Sequence, residues 1–303
     1  MEAFVASVIV AATPFLFAGI GELVAERSGV LNLGVEGMML VGAVTAFAVA
    51  FSSGNPWLGI AAGAAAGAAM ALVFVIVSIV LLANQAATGL ALTIFGIGVS
   101  GLAGQPFVGQ TVAPPAGLVL PGVTDASGVG RILLGQDPLV YLALLLCGAV
   151  WFMLARTRAG LALRAVGDSP EAAHALGFSV IRVRALAVLF GGAAAGLGGA
   201  YLSLVYTPMW GENMTAGRGW IAVALVVFAT WKPGRLVLGA YLFAAFTQLQ
   251  FYGQDWGVAL PSQFLAMVPY LATIVALVLI SRNPAIARAH QPAAIGRGFR
   301  ADR

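Results

Sequence analysis

The sequence predicts an all-α, polytopic transmembrane helical bundle, and three observations carry that reading. Hydrophobic residues make up 61% of the chain and charged residues only 9%, with a mean hydropathy of +0.98. Soluble domains carry about 25% charged residues. The apolar runs are continuous over roughly 20 residues, the length that crosses about 30 Å of hydrocarbon. They lack the short-period alternation of a membrane β-barrel. With no water to serve the backbone, such runs satisfy their own N–H and C=O groups as helices.

About nine spans (eight to ten) are expected, at 3–20, 34–52, 57–82, 88–107, 138–155, 185–206, 217–231, 235–252 and 264–281. The breaks fall at Gly, Pro, Asn and charge clusters. The first run follows Glu2 rather than a basic stretch, so it reads as a retained span and not a signal peptide. Gly59, Gly63 and Gly67 recur every fourth residue in the third run, and Gly192 and Gly196 do so in the sixth. Small residues at that spacing let helix backbones approach closely; a hinge for alternating access would use the same positions. Cys147 is the sole cysteine, a small hydrophobe within the fifth run, and no disulfide framework is possible.

Charge orients the bundle. With the carboxyl end cytoplasmic, 13 of the 15 basic residues fall on the inside and only Arg131 and Arg218 fall outside. The net charge of +4 is scattered over loops and does not suggest nucleic acid. Residues 1–283 form one transmembrane domain. Residues 284–303, rich in Ala, Arg and Gly, read as a flexible cytoplasmic tail.

Four polar stretches interrupt the apolar pattern. In Glu22–Gly37, Glu22, Glu26 and Arg27 suit a cytoplasmic loop, with Asn32 capping a helix from Leu33 and Glu36 in its first turns. The alternative is a broken helix whose Asn32 and Glu36 line a transport path, because intramembrane carboxylates are costly and interrupted helices recur at transporter sites. The external segment 108–137 holds Pro114, Pro115 and Pro121; Gln105 and Gln110 at its start either face a polar substrate or satisfy backbone groups. In Tyr206–Trp220, Trp210 and Trp220 suit an interfacial belt and Glu212 can pair with Arg218.

The fourth stretch is the polar island Arg164–Arg184. Asp168 or Ser169 can cap a helix there, with Pro170 in the first helical position, where a missing N–H costs nothing. Glu171 lies in the first turn, and Ala172, Ala173, Ala175 and Leu176 are strong helix formers. Gly177 can end the helix in the left-handed conformation. Arg158, Arg164, Arg182 and Arg184 bracket it and would hold it at the lipid headgroups. A two-turn helix is unstable alone in water, so it must pack on something. Ala172, Ala175 and Leu176 offer a small apolar face for a groove in another protein; the alternative is an interhelical loop held by its own chain.

The missing chemistry narrows the function. There is no G-x-x-x-x-G-K-[ST] phosphate loop, and Lys232 is the only lysine. His174 and His290 lie far apart with no Cys/His cluster, so neither a metal site nor a catalytic set is expected, and no cofactor is called for. Such a chain moves a solute, with energy from a partner or an ion gradient.

The pattern R-A-V-G-x-x-P-x-A-A-x-x-x-G at Arg164–Gly177 resembles the coupling-helix region of inner-membrane permeases of ABC importers, in the branch serving ribose-type sugars, branched-chain amino acids and nucleosides. The run from Glu26 to Met39 (ERSGVLNLGVEGMM), with Gly191–Tyr201 (GGAAAGLGGAY) and Gly217–Ala222 (GRGWIA), is similar to the shorter permease of nucleoside uptake systems, over nearly the whole chain. This resemblance implies two ATPase subunits, a second related permease and an extracytoplasmic binding protein or lipoprotein as partners. It also implies that Asp168 to Gly177 dock on an ATPase, and more loosely that Asn32 and Glu36 touch the solute path; Gln105 is a candidate for it from its own position. Sugars and branched-chain amino acids are the alternative cargoes, and an ion-coupled secondary transporter is the rival class.

Overall fold

The computed structural model describes residues 2–116, 135–255, 262–281 and 291–300. All nine expected segments coincide with helices. These are α1 (Glu2–Arg27), α2 (Val35–Ser53), α3 (Pro56–Phe74, continued as a π-helical turn to Val80), α4 (Gln85–Gly104), α5 (Pro138–Arg156), α8 (Val180–Tyr201, with a π turn to Tyr206), α9 (Arg218–Phe228), α10 (Pro233–Asp255) and α11 (Ser262–Ser281). Two short helices, α6 (Arg158–Asp168) and α7 (Pro170–Ala175), link α5 to α8.

Among the described residues, six helices are long and apolar enough to cross a membrane: α1, α2, α3, α4, α5 and α8. The expectation of about nine such spans is therefore met only in part. The clearest departure is α9, whose 11 residues reach about 16 Å, half of the hydrocarbon thickness.

Side-chain caps begin several helices. Asn55 accepts from the Trp57 amide at 2.9 Å, ahead of Pro56. Asp137 accepts from the Leu139 and Val140 amides, and Tyr201 donates its hydroxyl to the other Asp137 oxygen at 3.0 Å. The Asp137 carboxyl is raised above its ordinary range by burial, which those hydrogen bonds oppose.

Helix α8 runs through the centre of the bundle against α1, α2 and α3. Glycine makes that possible. A Cβ on Gly67 would overlap the Gly192 carbonyl oxygen, and one on Gly42 would lie 2.6 Å from the Gly196 Cα. The four-residue glycine spacing of α3 is thus a packing face, as expected. Lipid is as apolar as the helices, so close backbone packing and interhelical bonds such as Ser203 Oγ to the Ala43 carbonyl, 2.9 Å, hold the bundle together.

The structure departs from two expectations at the basic end. Glu22 and Glu26 belong to α1, which extends to Arg27, and both are fully buried rather than in a loop. One oxygen of each accepts a hydrogen bond described below, which offsets part of the cost, while Glu22 Oε2 and Glu26 Oε1 have no partner. Residues 291–300, part of the expected flexible tail, are folded against the rest of the chain; 284–290 and 301–303 lie outside the described residues, as does 117–134 of the external segment. The Ala294 and Gly296 amides donate to the Gly167 and Gly29 carbonyls at 2.9 and 3.1 Å. Phe299 buries its ring with Val166, Ala173 and Val180. One aromatic ring that borrows a pocket made elsewhere orders a segment too polar to build its own core.

Two outcomes follow. Gly67→Val should prevent the α3–α8 approach and lower the thermal unfolding temperature of the detergent-solubilised protein by many degrees. Phe299→Ala should cost about 3 kcal/mol locally, read as faster amide exchange across 164–177 and 291–300 with the transmembrane core unchanged.

Candidate functional site

The bundle has two unusual places: a non-helical stretch closed by a buried carboxylate and a short helix at its basic end. After the π turn of α8 the chain runs without helix from Thr207 to Gly217 before α9 begins. Asn213, Ala216 and Gly217 take positive φ of 54°, 47° and 81°, so the stretch is a tight non-helical turn. The first turn of α9 starts with amides that have no partner within the helix, Gly217 half-buried and Gly219 buried. Glu36 of α2 answers them. Its Oε1 accepts from the Gly217 amide at 2.8 Å and the Thr215 hydroxyl at 2.5 Å, and its Oε2 accepts from the Gly219 amide at 2.6 Å. Glu36 also lies in the first turn of α2, so the positive ends of two helices meet at one carboxylate. A Cβ on Gly219 would lie 2.6 Å from the Glu36 backbone nitrogen and Cα, which is why a glycine stands there.

A second buried polar layer holds residues 28–34. Asn32 is fully buried; its amide donates to Glu22 Oε1 at 3.1 Å, and its own Oδ1 accepts from the Gly34 amide at 3.0 Å. Asn32 therefore builds a turn ahead of α2 and does not cap it, the N-cap being Gly34. Gln85 Oε1 accepts from the Leu31 amide at 2.9 Å, and the Trp231 indole donates to Glu26 Oε2 at 2.5 Å.

Of the three residues expected along a solute path, Asn32 and Glu36 are thus buried and bonded to protein at the entrance to α2. Gln105 is exposed, beyond the other end of α4. Glu22, Glu26, Thr215, Gly217 and Gly219 were not singled out as parts of such a site. The signal for them was present: two carboxylates one helical turn apart in an apolar run, and a G-x-G that can bare its amides. Trp210, expected at the interface, is instead buried against Gly104. Arg218 donates to the Met214 and Thr215 carbonyls and stacks over Tyr206, 5.4 Å from the ring centroid, rather than meeting Glu212.

The polar island forms the helix its signals announced. Ser169, not Asp168, is the cap of α7: its side chain accepts from the Ala172 amide at 3.3 Å. Pro170 follows in the first position and Gly177 ends the turn at φ +88°. Asp168 is the last residue of α6 and is exposed. Pro170 and Ala173 turn inward, and His174 meets the Phe299 ring edge-on at 5.5 Å. Glu171, Ala172, Ala175 and Leu176 face outward, with Leu176 77% exposed and Phe178 beyond it 40% exposed. The helix has a seat on its own chain and a separate bare apolar face.

That seat is tied to the bundle by Arg184, expected at the headgroups but 1% exposed. Its Nε donates to the Ser28 carbonyl at 3.2 Å and its Nη1 to the Arg297 carbonyl at 2.8 Å. It joins α8, the turn after α1 and the folded tail.

Comparison with known proteins places this architecture. Residues 4–280 match the family model described as the permease component of branched-chain amino acid transport systems. A Haloferax volcanii protein, provisionally named as a glucose ABC transporter permease, is 42% identical over 88% of each chain. The nucleoside ABC transporter permease protein NupC of Lactococcus lactis is 32% identical over 92% of each chain. The guanosine ABC transporter permease protein NupQ of Bacillus subtilis is 32% identical over 91% of each chain. No solved structure matches the chain.

Removing the interior carboxylate tests the first of these places. Glu36→Ala leaves buried amides without an acceptor and should destabilise the fold by about 3 kcal/mol or more, whereas Glu36→Gln, which keeps one acceptor oxygen, should lose less. Thermal unfolding in detergent ranks the two variants against the parent.

Proposed function

The chain belongs to the family of permease components of branched-chain amino acid transport systems, and from that premise we propose that it is the membrane-spanning permease subunit of an ATP-driven ABC importer for nucleosides. The observation that carries the coupling role is the outward apolar face of α7, Ala172, Ala175 and Leu176, on a helix already seated on its own chain. An ATPase groove of matching shape covers that face, and residues Asp168 to Gly177 form the contact. The chain itself carries no phosphate loop, which fits a division of labour in which other subunits hydrolyse ATP.

In this reading the basic end of the bundle is cytoplasmic, about nine segments enter the membrane and α9 enters it only part way. A second, related permease completes the pathway, and an extracytoplasmic binding protein or lipoprotein delivers the cargo. Closure of the ATPase pair pushes α7. The push reaches α8 and the turn at 28–34 through Gly167, Arg184 and the 291–300 segment, which join these elements. The carboxylate of Glu36 then links any shift of α2 to the start of α9. Asn32 and Glu36 act in this account at the joint beside the pathway, and Gln105 at its outer mouth.

The nucleoside cargo rests on the relatives from Lactococcus lactis and Bacillus subtilis. The name of the Haloferax volcanii relative favours a second reading, a simple sugar. Calorimetry on the cognate binding protein decides between them: micromolar nucleoside binding supports the first, and a sugar ligand replaces it while leaving the permease role intact. Uptake into vesicles that needs ATP and survives collapse of the proton gradient excludes an ion-coupled carrier. Ala172→Glu and Ala175→Arg should each abolish co-purification with the ATPase and transport, with membrane insertion normal; a variant that still assembles and transports sinks the docking role of α7.

A further inference from the structure

Two adjoining hollows at the basic end share three cationic side chains. One, of about 520 Å³, is bounded by Arg27, Arg164, Lys232 and Arg235 with the indoles of Trp151 and Trp231. The other, of about 560 Å³, again meets Arg27, Arg164 and Lys232, with Asp168 as its one carboxylate. Four cations therefore surround a cleft that lies apart from the apolar face of α7.

The surroundings say what kind of anion fits. Arg27 is bound through Nε and Nη2 to the Trp231 carbonyl, which fixes the floor. Trp231 is held in turn by its indole bond to Glu26, a fully buried carboxylate that lies behind the ring. Arg164 bonds the Gly160 carbonyl through Nε at 3.4 Å, and Arg235 bonds the Thr230 hydroxyl through Nη1 at 2.7 Å. A guanidinium has five N–H donors, so each of these two keeps capacity for an acceptor in the cleft. One wall is apolar: Leu154 and Ala155 of α5, with Trp151 standing 55% exposed. Helix α5 is one of the six that can cross a bilayer, so this wall opens toward lipid at the depth where an indole meets headgroups. Basic pockets between transmembrane helices, with an apolar approach, suit a phosphate that carries acyl chains.

We propose that this cleft binds an anionic phospholipid, its phosphate among Arg164, Lys232 and Arg235 and an acyl chain along Trp151 and Leu154. The inference needs only a membrane-embedded chain and is independent of the cargo; Asp168 alone is shared with the ATPase contact proposed above. A lipid there would brace the ends of α1, α5 and α6 against the turn between α9 and α10.

Native mass spectrometry of the full chain, released from detergent micelles doped with phosphatidylglycerol, with phosphatidylcholine or with inorganic phosphate alone, tests it. The parent should retain phosphatidylglycerol over phosphatidylcholine by on the order of tenfold, the scale of one or two charges near a surface. The double variant Arg164→Gln/Lys232→Gln should lose that preference, and the charge-keeping Arg164→Lys/Lys232→Arg should hold most of it. Should the neutral variant fail to fold, the parent alone decides, because its preference should fall as salt is raised from about 0.05 to 0.5 M. Equal retention of the two lipids by the parent overturns the proposal, as does an unchanged preference in a folded neutral variant. Inorganic phosphate that binds as well and displaces the lipid would make this a free-anion site, and displacement of the lipid by a bound ATPase subunit would give the cleft to protein; either result also overturns it.

Discussion

The carboxylate of Glu36 is the interaction on which the interior of this bundle depends. A helix start has amides with no partner of its own, and a buried one such as that of Gly219 is costly if left unpaired. Here one side chain, from the first turn of a neighbouring helix, accepts from two amides and a hydroxyl at the start of α9. The non-helical stretch 207–217 can exist because of it, and so can the short reach of α9. The same bonds make α2 and α9 mechanically one unit at that point, which neither helix's own hydrogen bonding would achieve.

The basic end is organised on a similar principle with a different residue. Arg184 donates to two carbonyls from segments 156 and 113 positions away in sequence. Long planar donors of this kind can tie backbone segments that share no secondary structure. Around it the tail, the turn after α1 and the α6–α7 corner form a small folded unit, with Phe299 as its apolar centre. A helix of six residues is not stable by itself; this unit is what holds α7 in place and leaves its other face bare.

Between these two places the helices are held by closeness. Gly42, Gly67, Gly192 and Gly196 bring α2, α3 and α8 to backbone contact, where dispersion and a few interhelical hydrogen bonds replace the hydrophobic drive that lipid does not supply.

Much was legible in the sequence because it is local. Hydropathy located nine of the eleven helices, and the Ser-Pro start and glycine end marked α7, since a cap and a left-handed turn act within a few residues. The glycine repeats marked a packing face for the same reason. What only the tertiary structure decided is pairing across distance. Glu22, Glu26, Asn32, Glu36 and Arg184 are polar residues whose placement follows from which buried donor or acceptor lies opposite. The cross-element partners stand from 10 to 205 positions away, so local pattern assigned Glu22 and Glu26 to a loop, Asn32 to a cap and Arg184 to the headgroups. Burial of an unpaired charge costs more than any local preference supplies, and so the long-range partner determined where each of these residues lies.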